Sequence, residues 1–127
     1  MHLSQLHAKI GIASLNNDPL DFTKNFNNIM KSIQMCKDLG CSIRVGSELE
    51  ICGYGCHDHY QEYDTIYHSW DVIRDILLSG ITEGIVVDVG CPVLHKSALY
   101  NARVLMHNNK IVGIRPKMIL ADGDNYF

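Results

Sequence analysis

The chain has 127 residues, of which 46% are hydrophobic and 20% charged, and its formal net charge is −3. That length fits one domain, and that apolar content supports a packed core rather than a disordered chain. No block of lysine or arginine supplies the concentrated positive charge that nucleic acid requires. No apolar run reaches the roughly 18 residues of a membrane span, so neither nucleic acid nor membrane is an expected partner.

The opening stretch, MHLSQLHAKIGIA, has a short, interrupted apolar run and no basic leader, so no secretion signal is expected. The five cysteines (Cys36, Cys41, Cys52, Cys56 and Cys91) are odd in number and lack framework spacing. In a chain without a secretion signal they predict reduced thiols and a cytoplasmic location.

Residues 9–15 (KIGIASL) read as a first strand, and Asn16 to Leu20 as a turn, because asparagine, aspartate and proline cluster there. Over 22–39 the period becomes helical: Phe22, Phe26, Ile29, Met30, Ile33 and Cys36 share a stripe, with Lys24, Asn27, Lys31 and Lys37 mainly off it. Asp21 is placed to cap this helix and Gly40 to end it. Residues 43–49 predict a second strand, and 50–63 an irregular loop carrying Gly53, Gly55 and several histidines. A second helix is predicted over 65–78, where Ile66, Trp70, Ile73 and Leu77 are spaced 4, 3 and 4. Residues 84–90 predict a third strand, and 98–106 with 110–117 a hairpin around His107-Asn108-Asn109. The order β-α-β-α-β-β-β implies an α/β fold with a largely parallel sheet finished by a hairpin.

In such sheets function gathers at the carboxyl ends of strands, where Glu48 and Lys117 are predicted to lie. Strand alternation would put Gly46, Glu48 and Glu50 on one face and Ser47, Leu49 and Ile51 on the other. A carboxylate at a strand end suits a general base, especially if partial burial raises its pKa. It also suits a structural ion pair with Arg44, Arg103 or Arg115, the commoner reason for an acid in a sheet. A lysine beside it could stabilise an oxyanion. Cys52, Cys56, His57 and His59 have ligand types that suit zinc, but a structural zinc site usually pairs two knuckles, and no second pair is present. The alternative is a rim loop whose histidines and Asp58 hydrogen-bond backbone at its turns. Gly53-x-Gly55 lacks the third glycine and following helix of a dinucleotide site.

Ser47-Glu48-Leu49-Glu50-Ile51-Cys52-Gly53-Tyr54-Gly55-Cys56 followed by Asp58-His59-Tyr60 resembles the signature of one family. It is that of the glutaminase domain of eukaryotic-type glutamine-dependent NAD(+) synthetases, within the nitrilase (carbon–nitrogen hydrolase) superfamily. Asp88-Val89-Gly90, Pro92-Val93, Tyr100-Asn101, Arg103-Val104 and Arg115-Pro116-Lys117-Met118 extend the resemblance from about Lys9 to Tyr126. It implies the N-terminal half of a four-layer α-β-β-α sandwich and a glutamate–lysine–cysteine triad. Glu48 matches the general base, Lys117 the lysine that steadies the tetrahedral intermediate, and Tyr54 a tyrosine of the glutamine pocket. Ammonia released from glutamine would pass to a separate synthetase domain that uses ATP and Mg to make NAD. No cofactor and no metal are expected in this chain.

Two positions depart from the family pattern: Ser47 stands where proline is usual, and His57 where tryptophan is common. The family's nucleophilic cysteine lies downstream of the lysine, and none of the five cysteines matches it. The chain alone is therefore expected not to hydrolyse glutamine, and to need the other half of the glutaminase domain and the synthetase domain as partners. A sandwich half would leave a sheet face uncovered, which predicts self-association as a homo-oligomer. The alternatives are another amidase of the superfamily, or a non-catalytic module holding metal at Cys52, Cys56, His57 and His59.

Overall fold

A computed structural model describes residues 7–122 and folds them around one five-stranded sheet. Strands β1 (Ile10–Ile12), β2 (Ile43–Val45), β3 (Val86–His95), β4 (Ala98–His107) and β5 (Lys110–Pro116) lie side by side in chain order. Helix α1 (Phe22–Asp38) joins β1 to β2. Helix α2 (Tyr63–Leu78), preceded by a 3₁₀ turn at His57–Gln61, joins β2 to β3. Strands β1, β2 and β3 pair in parallel, whereas β4 and β5 each run antiparallel to the strand before.

The sheet is thus evenly mixed rather than largely parallel. The reason is a hairpin that the sequence does not announce. β3 runs past Gly90 to His95 and reverses through Lys96 and Ser97, both at positive φ (48° and 65°), the geometry of a two-residue primed turn. Neither residue belongs to the asparagine–glycine set that favours this geometry. The second hairpin uses Asn108 and Asn109 at φ 48° and 61°, where asparagine is well tolerated.

The caps of α1 are those expected. The Asp21 side chain accepts from the Lys24 backbone N–H at 3.0 Å. Gly40, at φ 74°, closes a Schellman motif. In it the Gly40 N–H reaches the Lys37 carbonyl at 3.0 Å, and the Cys41 N–H reaches that of Cys36 at 2.8 Å.

Both helices cover the same sheet face. Ile29, Ile33 and Cys36 of α1 and Val72, Ile73 and Ile76 of α2 pack against Val87, Val89, Val104 and Met106. Each such buried side chain contributes about 1.5–3 kcal/mol. Trp70 adds a polar tie, its indole N–H donating to the Pro92 carbonyl at 3.1 Å. No helix of the described residues covers the opposite face. There the register aligns Ile10, Ile43 and Val86 in one row, and Ile12, Val45, Asp88 and Leu105 in the next. A third row holds Gly90, Arg103 and Arg115. Ile12 is 85% exposed on this face.

β2 stops at Val45 instead of continuing to residue 49, because its continuation turns over β3. A Cβ on Gly90 would stand 2.3 Å from the Leu49 nitrogen and 2.5 Å from the Ser47 carbonyl oxygen, so only glycine admits this crossing. Leu49 then takes φ 48° and reverses the chain. This sends Glu48 and Glu50 to different places rather than to one strand face. Glu50 turns inward and meets Arg44 in a bidentate pair at 2.6 and 3.0 Å, both side chains fully buried. The guanidinium also donates to Ser32 Oγ at 3.0 Å and to the Asp88 carbonyl at 3.1 Å. Among the described residues no buried side-chain nitrogen or oxygen lacks a partner.

Burying two charges is tolerable only as a matched, fully hydrogen-bonded pair. Glu50→Leu, which strands Arg44, should therefore cost about 3–5 kcal/mol in urea unfolding, and the double variant Arg44→Met/Glu50→Leu far less. Equal losses in single and double variants would show that the pair does not organise this region.

Candidate active site

Three elements converge on Glu48. It projects from the turn after β2, Lys117 follows β5 directly, and Asn101 lies on β4. The Lys117 backbone N–H donates to the Asn101 carbonyl at 2.7 Å, so the lysine is held by its own main chain. Lys117 Nζ donates to Glu48 Oε1 at 2.8 Å, and Asn101 Nδ2 donates to the same oxygen at 2.5 Å. Both donors use Oε1, so Oε2 is the carboxylate oxygen left to another proton-bearing group.

The turn that carries Glu48 is stapled on both sides. Arg103 forms a bidentate pair with Asp88 at 2.9 and 2.8 Å. The same guanidinium donates to the Ser47 carbonyl at 2.8 Å and that of Gly46 at 2.7 Å. Beyond Glu48, Asn17 donates to the Glu50 carbonyl at 2.8 Å and Asn25 to that of Ile51 at 3.0 Å. A loop so tied presents one side chain in a set direction, which is what positioned chemistry requires.

Burial pushes the Glu48 carboxyl up, but the hydrogen bonds from Lys117 and Asn101 and the charges of Lys117 and Arg103 outweigh it. The group sits below its ordinary value, the reverse of the upward shift expected from partial burial. The physical reason is exposure: the side chain keeps 38% of its surface, so desolvation is incomplete while a cation stands 2.8 Å away. Glu48, Lys117, Asn101, Arg103 and Arg115 line a cavity of about 320 Å³.

The structure brings Glu48 and Lys117 together, as their strand-end positions suggested. It does not place Tyr54 on that cavity; this residue is exposed at the tip of the following loop. Asn101 and Arg103 join Glu48 and Lys117; the sequence pointed to Asn101 only within the resemblance, and to Arg103 there and as a possible ion-pair partner, though the structure pairs it with Asp88. Cys52 and Cys56 are buried, while His59 is exposed and pairs with Glu62 at 3.0 Å rather than with backbone. No group of three or more histidine, cysteine, aspartate or glutamate side chains among the described residues could hold a metal ion.

The chain thus has a mixed sheet with helices on one face and a carboxylate–lysine pair beyond its strand ends. Residues 9–126 match the family described as carbon-nitrogen hydrolase, and the chain belongs to that family. Within it the chain is similar to glutamine-dependent NAD(+) synthetases. It is 46% identical over 117 residues to that of Drosophila melanogaster and 50% to that of Mus musculus, each covering 92% of this chain. The chain spans only 15% and 16% of those relatives' lengths. The solved glutamine-dependent NAD(+) synthetase of Cytophaga hutchinsonii superposes with TM-score 0.85 and 29% identity. That match covers 91% of this chain and 20% of the other. An amidase from Nesterenkonia sp. AN1, solved with butyramide, shares the fold at TM-score 0.78 and 16% identity, over 93% of this chain and 46% of its own.

Removing the cation should release the Glu48 carboxyl. Lys117→Met is expected to raise its pKa, followed by carbon-detected NMR titration of the glutamate side chains. A carboxyl depressed in the folded state contributes stability above its unfolded pKa and loses it as pH falls through the folded value. Lys117→Met should accordingly flatten the acid limb of stability against pH. An unchanged Glu48 titration would remove Lys117 as the controlling charge.

Proposed function

We propose that this chain supplies the Glu48–Lys117 part of a glutamine-hydrolysing site, within a glutamine-dependent NAD(+) synthetase. The observation that carries the reading is the 2.8 Å contact between Glu48 and Lys117, held by Asn101. It stands in a chain 46% identical to one such synthetase. None of the residues lining the cavity around this pair is a cysteine, and all five cysteines of the chain are buried as free thiols. On this reading the nucleophile is a cysteine outside these 127 residues, and the chain alone does not hydrolyse glutamine.

In the completed site, Glu48 accepts the thiol proton as the sulfur attacks the side-chain amide carbon of glutamine. Lys117 sits beside the oxyanion that forms, and Tyr54 shapes the glutamine pocket. The C–N bond then breaks, ammonia leaves with the proton that Glu48 received, and water activated by Glu48 hydrolyses the glutamyl thioester. Ammonia goes to a synthetase domain where ATP and Mg drive amidation of nicotinic acid adenine dinucleotide. This chain itself holds no cofactor. The setting is cytoplasmic, a reading that five free thiols support.

The uncovered sheet face belongs against the remaining half of the hydrolase domain. Without that half the chain self-associates through Ile10, Ile12 and their neighbours. Static light scattering giving a single-chain mass at all concentrations would remove this second part.

The decisive experiment grafts the chain in place of the matching residues of the Mus musculus synthetase. The chimera should make NAD from either glutamine or ammonia. Glu48→Gln and Lys117→Met in the graft should lower the glutamine-driven rate by about 10²–10⁴-fold while leaving the ammonia-driven rate intact. Equal loss with both nitrogen sources, or no loss with glutamine, would refute the assignment.

A further inference from the structure

We propose that Cys52 and Cys56 form a redox-responsive dithiol that closes to a disulfide and locks the loop presenting Tyr54. The segment Cys52-Gly53-Tyr54-Gly55-Cys56 is a hoop: both thiols are buried, while Tyr54 at its midpoint is 52% exposed. The ends of the hoop are anchored. The Leu20 N–H donates to the Cys52 carbonyl at 2.7 Å, and the His59 N–H donates to that of Cys56 at 3.0 Å. Only residues 53–55 lie between the two anchors.

The two sulfurs converge on one acceptor. Cys52 Sγ lies 3.6 Å and Cys56 Sγ 3.1 Å from the Gly53 carbonyl oxygen, which the Tyr60 hydroxyl also reaches at 2.6 Å. Cys56 Sγ also lies 3.1 Å from the Cys52 carbonyl oxygen, and Cys52 Sγ 3.7 Å from that of Leu49, so both thiols sit over the same turn of backbone. Forming the disulfide removes both S–H donors and leaves the Tyr60 hydroxyl on the Gly53 carbonyl.

The thiols also differ in readiness. The hydrogen bond from Cys52, helped by the Leu20 backbone and the Tyr60 hydroxyl, brings Cys56 down to about 7, while the same contact and burial hold Cys52 up. Cys56 is thus the attacking thiolate and Cys52 the resolving thiol. Burial pushes Cys91 up, and burial with the neighbouring Cys41 pushes Cys36 up.

With hydrogen peroxide as oxidant, Cys56 Sγ attacks one peroxide oxygen and the O–O bond breaks. The departing hydroxide takes a proton and leaves as water, with sulfenic acid on Cys56. Cys52 Sγ then attacks the Cys56 sulfur, giving its proton to the leaving oxygen, and a second water departs. Two thiols are oxidised by two electrons and one peroxide is reduced to two waters. This proposal is independent of the role assigned to Glu48.

The test treats the reduced 127-residue chain with hydrogen peroxide, alkylates the remaining thiols, and maps peptides by mass spectrometry. The expected product has lost two hydrogens, carries the Cys52–Cys56 linkage, and has Cys36, Cys41 and Cys91 alkylated. Cys52→Ser and Cys56→Ser should abolish the loss, whereas Cys36→Ser and Cys41→Ser should keep it, each variant's fold being checked by circular dichroism. A Cys36–Cys41 linkage, direct passage of Cys56 to sulfinic acid, or five alkylated thiols after treatment would each overturn the proposal. The mapping of the unaltered chain decides the matter even if a variant fails to fold.

Discussion

The arrangement depends on the buried pair between Arg44 and Glu50. An arginine in a three-residue strand under a helix is untenable without a matched anion, and the strand cannot supply one. The chain must turn back to deliver Glu50 beneath α1, and it does so at Leu49 with φ 48°. That reversal ends β2, lays residues 47–49 across Gly90, and throws Glu48 to the outside. A demand of the core thus sets the place of the surface carboxylate.

Two glutamates two residues apart consequently live under opposite rules. Glu50 meets a guanidinium in a dry interior, where burial pushes its carboxyl up and Arg44 opposes the push. Glu48 meets an ammonium and an amide at the rim of an open cavity, where the donors win. The first pair resists change because removing either partner leaves a buried charge. The second can exchange partners with solvent or ligand at little cost, which suits a group whose protonation must change.

What could be read from the sequence followed from local chemistry. The helix of residues 22–38, its aspartate cap and its glycine terminus rest on period and side-chain hydrogen bonding, and all three stand as expected. So does the Asn108-Asn109 turn. The misses have a common physical origin in contacts distant along the chain. Nothing near residue 46 says that the second strand must stop, because what lets the chain cross there is Gly90 on another strand. Lys96 and Ser97 form a primed turn because the strands on either side pair over nine registered positions, which overrides weak turn propensity. Asn101 was visible only within a resemblance, and Arg103 there and as one of three candidate ion-pair partners, since a polar residue on a strand acquires meaning from what it faces.

The open sheet face connects these points to chemistry. Its rows are apolar at the end with Ile10, Ile43 and Val86, and charged at the end with Arg103 and Arg115, where the Glu48 cavity opens. Glu48 in this state sits below its ordinary value, because it is part-exposed and paired with Lys117. Under the proposed function, the layer that covers Ile12 also removes water from the rim of that cavity. Burial is already the largest influence on the carboxyl and acts upward, so covering the face moves Glu48 toward a useful base. Assembly and activation then share one cause: the apolar rows supply the association energy, and the charged row receives the drier environment that association creates.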